Sequence, residues 1–299
     1  MREEVLQINE LTKEYVKGNR AVDKLDFCVE KGAVFGVLGP NGSGKTTTLG
    51  MILGVIRPTS GHFRWFGGLA AHEARKRIGA LLETPNFYPN MTAVQNLEIV
   101  AQIKGVDHNK LDQLIELVGL KEFSNYSFSS YSLGMKQRLG IASTLVGDPD
   151  ILILDEPTNG LDPKGIVEVR QLIQQIAEQG KTILLASHII DEVEKVCNEV
   201  AILKKGVLLA KGPVSELLGN DTILHIACED LELLYKSLNE SDFTKSIDKE
   251  EDYLKVLLKE NVSSMMINKW AFEKGIILSR LELNNRSLEE EFLSITTDD

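Results

Sequence analysis

Cysteine is scarce in this chain, and its three copies, Cys28, Cys197 and Cys228, are odd in number and far apart. They make neither the framework of a disulfide-stabilised domain nor the close pairs of a zinc site. We therefore expect reduced thiols in a cytosolic protein. The N-terminus also lacks the apolar region of a signal peptide. No apolar run approaches the ~18 residues of a membrane span, so at a membrane the chain would be docked on other proteins.

Positive charge is also in short supply, with 33 Lys and Arg residues against 44 Asp and Glu and a net charge of −11. Sequence-independent binding to nucleic acid depends on Lys and Arg side chains that neutralise phosphates, so no nucleic-acid partner is expected. The chain has 299 residues and is 43% hydrophobic, which is ample for a buried core. Its length suggests about two domains of ~150 residues each.

The first two thirds of the chain alternate between strand-like and helix-like segments, which indicates a largely parallel sheet covered by helices. Antiparallel β structure comes first, a helical region is expected at about 92–146, and a hairpin at 200–210 is indicated by Lys204-Lys205-Gly206. Strands are expected at Leu6–Leu11, Ala21–Val29, Val34–Leu38, Ile151–Leu154 and Thr182–Ala186, and helices at Thr46–Leu53, Ile166–Glu178 and Asp191–Cys197.

A second domain is expected after a boundary near Leu218. Its segments follow the order of a split β-α-β, ferredoxin-like fold, so 219–299 is predicted to be a small α+β accessory domain. Strands are expected at Ile223–Ala227, Tyr253–Leu258 and Ile276–Leu283, and helices at Leu231–Leu238, Val262–Lys274 and Leu288–Ser294. Met265 and Met266, on the second of these helices, are expected to be buried in the core.

A glycine-rich loop between the strand Val34–Leu38 and a helix matches the pattern G-x-x-x-x-G-K-[ST]. It consists of Gly39, Pro40, Asn41, Gly42, Ser43, Gly44, Lys45 and Thr46, with Thr47 following in the helix. Glycines let backbone N–H groups turn toward phosphates, and the positive end of the helix points at the same anion. Lys45 is expected to reach the β- and γ-phosphates, and the Thr46 hydroxyl to bind Mg²⁺.

Two carboxylates, Asp155 and Glu156, end the apolar strand Ile151–Leu154. In P-loop enzymes an acidic residue at such a strand end holds Mg²⁺, and that position suits Asp155. Glu156 is then placed to orient or deprotonate the attacking water. A solvated strand end is the alternative, and the P-loop upstream disfavours it.

Further motifs occur in the order found in the ATP-binding subunits of ABC transporters, which residues 1–215 resemble. They are Tyr15, the segment Ser132-Leu133-Gly134-Met135-Lys136-Gln137-Arg138, the loop Asn159-Gly160-Leu161-Asp162, and His188. The resemblance implies an α/β P-loop NTPase of the ABC ATPase fold, with a mixed sheet core, an antiparallel β subdomain and a helical subdomain at about 84–146. It also implies ATP and Mg²⁺ as cofactors.

The resemblance assigns a role to each of these residues. For Tyr15, Ser132 and Asp162 a simpler structural role is also open. Tyr15 would stack on adenine, although an aromatic residue at a strand end often only packs. Ser132 and Gly134 would contact phosphate at a helix N-terminus, where Ser132 is also a plausible cap. Asp162 would meet a second subunit or cap the next helix. His188 would contact the γ-phosphate and, with Lys45 and Glu156, form the catalytic set.

Two departures from the family pattern stand out. The signature segment has Leu133 and Met135 where the family usually has glycine and glutamine, and the Leu133 side chain can restrict the approach of phosphate. Glu83 stands where the family usually has a glutamine, and we expect it to contact Mg²⁺ or water and to couple to a membrane partner. Glu83 and the tyrosine-containing signature resemble the bacitracin- and lantibiotic-type export and self-protection branch.

The resemblance predicts an ATP-binding and ATP-hydrolysing transporter subunit that is peripheral at the cytoplasmic face of the cell membrane. Two such subunits, identical or different, would close head to tail on ATP and drive separate membrane-spanning permease subunits. The expected transporter is an exporter of a peptide, antibiotic or lipid-like substrate. Two alternatives stay open: a soluble ABC ATPase that acts on ribosomes or DNA, and a regulatory relative that does not hydrolyse ATP.

Overall fold

The computed structural model describes residues 3–217, 222–259 and 262–285, and the chain divides into two compact units, Met1–Val214 and Ser215–Asp299. Each unit has a buried apolar core of its own. Leu218, near which the sequence places a domain boundary, lies outside the described residues. Within the described ranges, no helix combines the length and the apolar character that a membrane span requires.

The first unit is built on two sheets. Its strands are β1 (Glu4–Val16), β2 (Asn19–Glu30), β3 (Val34–Leu38), β4 (Ser60–Trp65), β5 (Ile78–Leu81), β6 (Ile151–Asp155), β7 (Thr182–Ser187), β8 (Glu199–Lys204) and β9 (Val207–Pro213). An antiparallel sheet has the order β2-β1-β4, and a six-stranded sheet has the order β5-β6-β7-β3-β8-β9. The six-stranded sheet is parallel except for β9, which pairs antiparallel with β8. The predicted mixed sheet with an antiparallel β part is therefore confirmed.

Helices connect these strands. They are α1 (Lys45–Ile52), α2 (Ala71–Lys76), α3 (Ala93–Lys104), α4 (Leu111–Leu117), α5 (Leu133–Leu145), α6 (Pro163–Glu178) and α7 (Ile190–Val196), followed by the short α8 (Val214–Leu217). The expected helical region contains α3, α4 and α5, with 3-10 turns at Lys121–Phe123 and Phe128–Ser130. A capping box of Thr92 and Gln95 starts α3, because these side chains satisfy backbone N–H groups that the first turn leaves unpaired.

Three central strands of the six-stranded sheet fix the position of the functional loops. Every residue of β3, β6 and β7 is buried, as the apolar runs predict for strands in the middle of a parallel sheet. β6, β7 and β3 are parallel neighbours, so their carboxyl ends lie at the same edge. The glycine-rich loop, Glu156 and His188 directly follow these three ends and are therefore brought together.

In its described residues, the second unit contains a four-stranded antiparallel sheet and two helices packed on one core. Its elements are β10 (Thr222–Cys228), α9 (Leu231–Asn239), β11 (Thr244–Lys249), β12 (Leu254–Leu258), α10 (Ser264–Glu273) and β13 (Leu278–Asn285). The strand order is β11-β12-β10-β13. Both helices contribute to one core, through Leu234 and Leu238 of α9 and Ile267 and Ala271 of α10. The helix expected at Leu288–Ser294 lies outside the described residues.

The expectation that Met265 and Met266 face the core is wrong. Their exposed fractions are 80% and 46%. The buried stripe of α10 is formed instead by Ile267 and Ala271, which are four residues apart and so share one face of the helix. The adjacent methionines are rotated away from that face.

Candidate functional site

A cavity of about 510 Å³ lies where the loops after β3 and β6 meet, and we call it the P-loop cavity. Its lining brings together most of the residues predicted to bind nucleotide and metal. They are Asn41, Gly42, Ser43, Gly44, Lys45, Thr46, Thr47, Glu83, Asp155 and Glu156, joined by Ala21, Thr84, Leu133, Gln137 and Asn159.

The glycine-rich loop is shaped by two positions that admit no side chain. A Cβ atom on Gly39 would lie 2.3 Å from the carbonyl oxygen of Leu203, and one on Gly44 would lie 2.5 Å from that of Ala21. Gly44 also has a φ of 102° and is the N-cap of α1, a left-handed conformation that favours glycine. A cap without a side chain leaves the first N–H groups of α1 available to an anion.

Lys45 is held in place by the loop that precedes it. Its side chain is 5% exposed, and its Nζ donates to the carbonyl oxygens of Gly39 at 2.7 Å and of Pro40 at 3.3 Å. The same atom lies 3.2 Å from Oε1 of Glu156. These contacts place the ammonium group between the glycine-rich loop and the end of β6.

Asp155 is the last residue of β6 and is 1% exposed. Neither of its carboxylate oxygens has a hydrogen-bond partner among the described residues. Burial raises the pKa of the Asp155 carboxyl above its ordinary value; the charges of Glu156 and Glu83 add to the rise, while the nearby Thr46 hydroxyl and Lys45 oppose it. A buried carboxylate without a donor is costly, and a cation bound there would offset that cost.

These donors fit Mg²⁺. This ion takes one or two protein oxygens and completes its shell with phosphates and water, and Asp155 and Thr46 offer a carboxylate and a hydroxyl side by side. The buried Ser43 hydroxyl, in the same cavity, also has no hydrogen-bond partner among the described residues. In those residues no cluster of three or more His, Cys, Asp or Glu side chains is arranged to hold a metal ion.

Glu156 is held at both carboxylate oxygens. Besides the contact of Oε1 with Lys45, its Oε2 lies 2.7 Å from Nδ1 of His188 and accepts the His188 backbone N–H at 3.4 Å. The Glu156 backbone has a φ of 48°, which is uncommon for a residue with a side chain and persists only where the surroundings hold it. In the structure His188 therefore contacts Glu156. The expected contact of His188 with a γ-phosphate stays a prediction.

Ser132, Gly134 and Asp162 line a second cavity of about 600 Å³, which we call the signature cavity. The Ser132 hydroxyl accepts from the N–H of Met135 at 3.3 Å, and Asp162 accepts from the N–H of Gly165 at 2.9 Å. Both residues therefore cap helices, as the simpler expectation for each had it. Their contacts with a nucleotide or a second subunit stay predictions.

Two predicted residues differ from the buried members of the site, since both are exposed. Tyr15 is 58% exposed near the end of β1, with the Lys13 ammonium 5.0 Å from its ring centroid, and it is not among the residues that line the P-loop cavity. Glu83 does line that cavity, but its side chain has an exposed position and its backbone has a φ of 56°.

Sequence reasoning gave no role of their own to other residues at this edge. Gln137 lines the P-loop cavity and follows Leu133 by four residues on α5, a spacing that places both on one helix face and was a usable signal. Thr158 and Glu192 form a buried hydrogen bond between the loop after β6 and α7. They are 34 residues apart, and no local pattern pairs them.

Known proteins resemble this chain along most of its length. The sequence profile of the ABC transporter family matches residues 22–159. The bacitracin transport ATP-binding protein BcrA of Bacillus licheniformis is 38% identical over 297 residues, which cover 97% of each chain. The lantibiotic transport ATP-binding protein SrtF of Streptococcus pyogenes is 37% identical over 206 residues, which cover 69% of this chain and 89% of that relative.

Among solved structures, the dimeric ATP-binding cassette MJ0796 in a post-hydrolysis state with ADP and Pi aligns with a TM-score of 0.62. It is 26% identical and the match covers 70% of this chain and 99% of that one. Together with the fold and the P-loop cavity, these matches define the class: the chain belongs to the ATP-binding proteins of the ABC transporter family. It is an ATPase subunit of the branch that includes the bacitracin and lantibiotic proteins, and that predicted resemblance is confirmed.

Proposed function

We propose that this chain is the ATP-hydrolysing subunit of an exporter whose substrate is a peptide antibiotic or a related lipid-like compound. The similarity to a bacitracin transport protein over 97% of the chain supports the substrate class. In this proposal two ATP-binding subunits act together on separate permease subunits at the cytoplasmic face of the membrane. The observation that carries it is the convergence of Lys45, Asp155, Glu156 and His188 at one edge of the sheet.

The chemistry of the P-loop cavity follows from these positions. Lys45 and the N–H groups at the start of α1 bind the phosphates of ATP. Asp155 and Thr46 would hold Mg²⁺, which would supply charge neutralisation for the bound phosphates. Glu156 orients the attacking water and accepts its proton. His188 fixes the Glu156 carboxylate through its Nδ1 contact of 2.7 Å.

Two chains are needed because the two cavities contribute different parts of one site. Ser132 and Gly134 line the signature cavity and are not among the residues that line the P-loop cavity. A second copy or a related subunit, turned head to tail, would place its Ser132 and Gly134 over the γ-phosphate bound by Lys45. The anionic phosphate then joins the two chains, and its hydrolysis releases them.

The proposal is tested with a tagged, full-length Glu156→Gln variant isolated with ATP from native membranes in mild detergent. Without the carboxylate, water is neither oriented nor deprotonated, so kcat is expected to fall by at least about 100-fold while nucleotide binding is kept. The trapped ATP should favour the dimer on size-exclusion chromatography. A polytopic membrane protein without an ATP-binding cassette of its own should be co-isolated and identified by mass spectrometry.

Glu178→Gln is the matched control, because Glu178 is exposed at the end of α6. It should hydrolyse ATP like the unaltered chain. Hydrolysis by Glu156→Gln at a near-normal kcat would contradict the assignment of Glu156. Ribosomal proteins or DNA-repair factors in place of a membrane chain would favour a soluble ABC ATPase, and an unaltered chain without ATPase activity would favour a regulatory relative.

A further inference from the structure

Glu192 is a buried carboxylate that the proposed chemistry does not use. It lies in the first turn of α7, four residues after His188, and is 4% exposed. One carboxylate oxygen accepts the hydroxyl of Thr158, which is itself 4% exposed, and the other has no hydrogen-bond partner among the described residues. Leaving a charged oxygen buried and unpaired costs stability, so packing alone is a poor reason for a glutamate here.

The charges around Glu192 belong to the same edge of the sheet. Burial raises the pKa of its carboxyl; the Thr158 hydroxyl, Arg170 and His188 favour the ionised form, and Glu156 opposes it. Arg170 lies on α6 and its Nη2 is 3.6 Å from Oδ2 of Asp191. The charged groups that act on Glu192 thus come from α6 and from the loops that carry Glu156 and His188.

The Thr158 hydrogen bond connects the loop that carries Glu156 to α7, the helix that begins two residues after His188. Thr158 lies two residues after Glu156, and its carbonyl oxygen accepts the N–H of Leu161 at 3.2 Å. The carbonyl oxygen of Glu156 in turn accepts the N–H of Asn159 at 3.1 Å. Thr158 thus lies inside the turn that holds Glu156 in its uncommon backbone conformation, and Glu192 is that turn's hydrogen-bonded anchor on α7.

We propose that Glu192 is a positioning residue that accepts the Thr158 hydroxyl and so fixes the turn from Glu156 to Leu161 against α7. In this arrangement the bond keeps the Glu156 carboxylate at His188, where it can orient water. The inference rests on the proposed role of Glu156 and adds to it a pair of residues that never touches the nucleotide.

The test compares steady-state ATPase kinetics of full-length Thr158→Val with those of the unaltered chain. Valine keeps the shape of threonine and removes the donor, so kcat is expected to fall by about tenfold, since small displacements of a catalytic group are costly. The KM for Mg-ATP should change by less than about twofold, because Lys45 and the P-loop are untouched. Thr158→Ser should restore kcat, and Glu192→Gln should keep most of it because its amide oxygen also accepts.

Thr144→Val is the matched control. Thr144 is 2% exposed on α5 and donates to the Ile141 carbonyl of its own helix at 2.7 Å. It loses the same hydroxyl outside the proposed site, so its kcat should stay normal. Where melting shows that Thr158→Val does not fold, Thr158→Ala removes the same donor with a smaller side chain and carries the same expectation.

A second measurement asks whether the pair acts through Glu156. In a Glu156→Gln background, Thr158→Val should cause no further loss, because there is no carboxylate left to position. A normal kcat in Thr158→Val, a rise in KM alone, or a full tenfold loss on top of Glu156→Gln would each overturn the inference. Normal hydrolysis by Glu156→Gln itself would instead count against the proposed function.

Discussion

The P-loop cavity and the signature cavity have similar volumes, about 510 and 600 Å³, but they differ in how the helices that start there are capped. The P-loop cavity holds a cation and three carboxylates, from Lys45, Glu83, Asp155 and Glu156. Its helix α1 starts at Gly44 without a side-chain cap. In the signature cavity, α5 and α6 each start at a side chain that accepts a backbone N–H.

This difference shows that the two cavities are not two copies of one kind of site. The first has unsatisfied donors and a buried unpaired carboxylate, both of which a magnesium nucleotide would satisfy. In the second, Ser132 and Asp162 cap the helices and the Arg138 guanidinium lies 3.5 Å from Glu168, while the Arg138 Nε has no hydrogen-bond partner among the described residues. A surface of that kind can be complementary to a nucleotide bound elsewhere without holding one alone, which is the division that a head-to-tail dimer requires.

The largest expected effect comes from breaking one cavity in each of two chains and mixing them. Lys45→Ala removes the ammonium group that we propose as the phosphate ligand of the P-loop cavity. Gly134→Asp puts an anion into the signature cavity, and the chain accommodates it because a Cβ at Gly134 would meet no atom closer than 3.9 Å. Each variant alone should lose at least about 100-fold in ATPase activity, whereas an equal mixture should recover roughly a quarter of normal activity, since half of the dimers contain one intact composite site.

Mixing Lys45→Ala with Glu156→Gln is the control for that experiment. Both changes fall in the P-loop cavity, so every site in a mixed dimer stays damaged and no activity should return. Recovery in this control would mean that Lys45 and Glu156 act in different sites. No recovery with Gly134→Asp would mean that each chain completes its own site. The comparison of the two cavities would then have a purely structural meaning.

A smaller effect is expected from Asp155→Asn, which removes the unpaired charge of the P-loop cavity. Magnesium-dependent hydrolysis should be lost, yet the nucleotide-free chain should melt higher by a few degrees at pH 8, corresponding to about 1 kcal/mol. The asparagine keeps the shape of the side chain and avoids the cost of a buried anion. Differential scanning calorimetry with and without Mg-ATP measures both consequences.

The stability difference between Asp155→Asn and the unaltered chain should depend on pH with a definite sign. Burial raises the folded-state pKa of Asp155, so its contribution to stability is fully present below the unfolded pKa of about 3.9. That contribution is lost as the pH rises through the raised folded-state pKa. The advantage of Asp155→Asn should therefore grow from low pH upward and then level off. An advantage that shrinks with rising pH would show that the Asp155 charge is already compensated within the chain.

The comparison also shows how much of the structure can be predicted from the sequence. Most of the residues predicted to bind phosphate and metal do line the P-loop cavity, because they follow strands whose apolar runs are unambiguous. The strand β3 was expected at Val34–Leu38 and lies there, and β6 extends the expected Ile151–Leu154 by one residue. Parallel neighbours end at one edge, so contiguous motifs were sufficient. The hairpin at Lys204-Lys205-Gly206 was also predicted from the sequence. In the structure Lys205 and Gly206 have φ values of 50° and 83° and form the turn that suits a two-residue hairpin.

Other features depend on tertiary contacts that no local pattern contains. The edge strand β5 and strand β11 were missed because each is only partly apolar or very short, and β1 runs beyond the expected Leu6–Leu11 because its pairing with β2 continues past irregular registers. The bond between Thr158 and Glu192 joins separate loops. Met265 and Met266 failed as core residues because an apolar side chain in a helix can equally well lie outside the buried stripe.

The smallest expected effect concerns Tyr15, the predicted adenine contact that is not among the residues lining the P-loop cavity. Its ring is 58% exposed, so the gain from stacking on a base is expected at the low end of the usual range, about 1 kcal/mol. Tyr15→Ala should therefore raise the KM for ATP by about fivefold with kcat unchanged, and Tyr15→Trp should restore it. GTP should respond alike, because stacking needs only an aromatic base. An unchanged KM in Tyr15→Ala would remove Tyr15 from the site and leave nucleotide binding to the phosphate contacts alone.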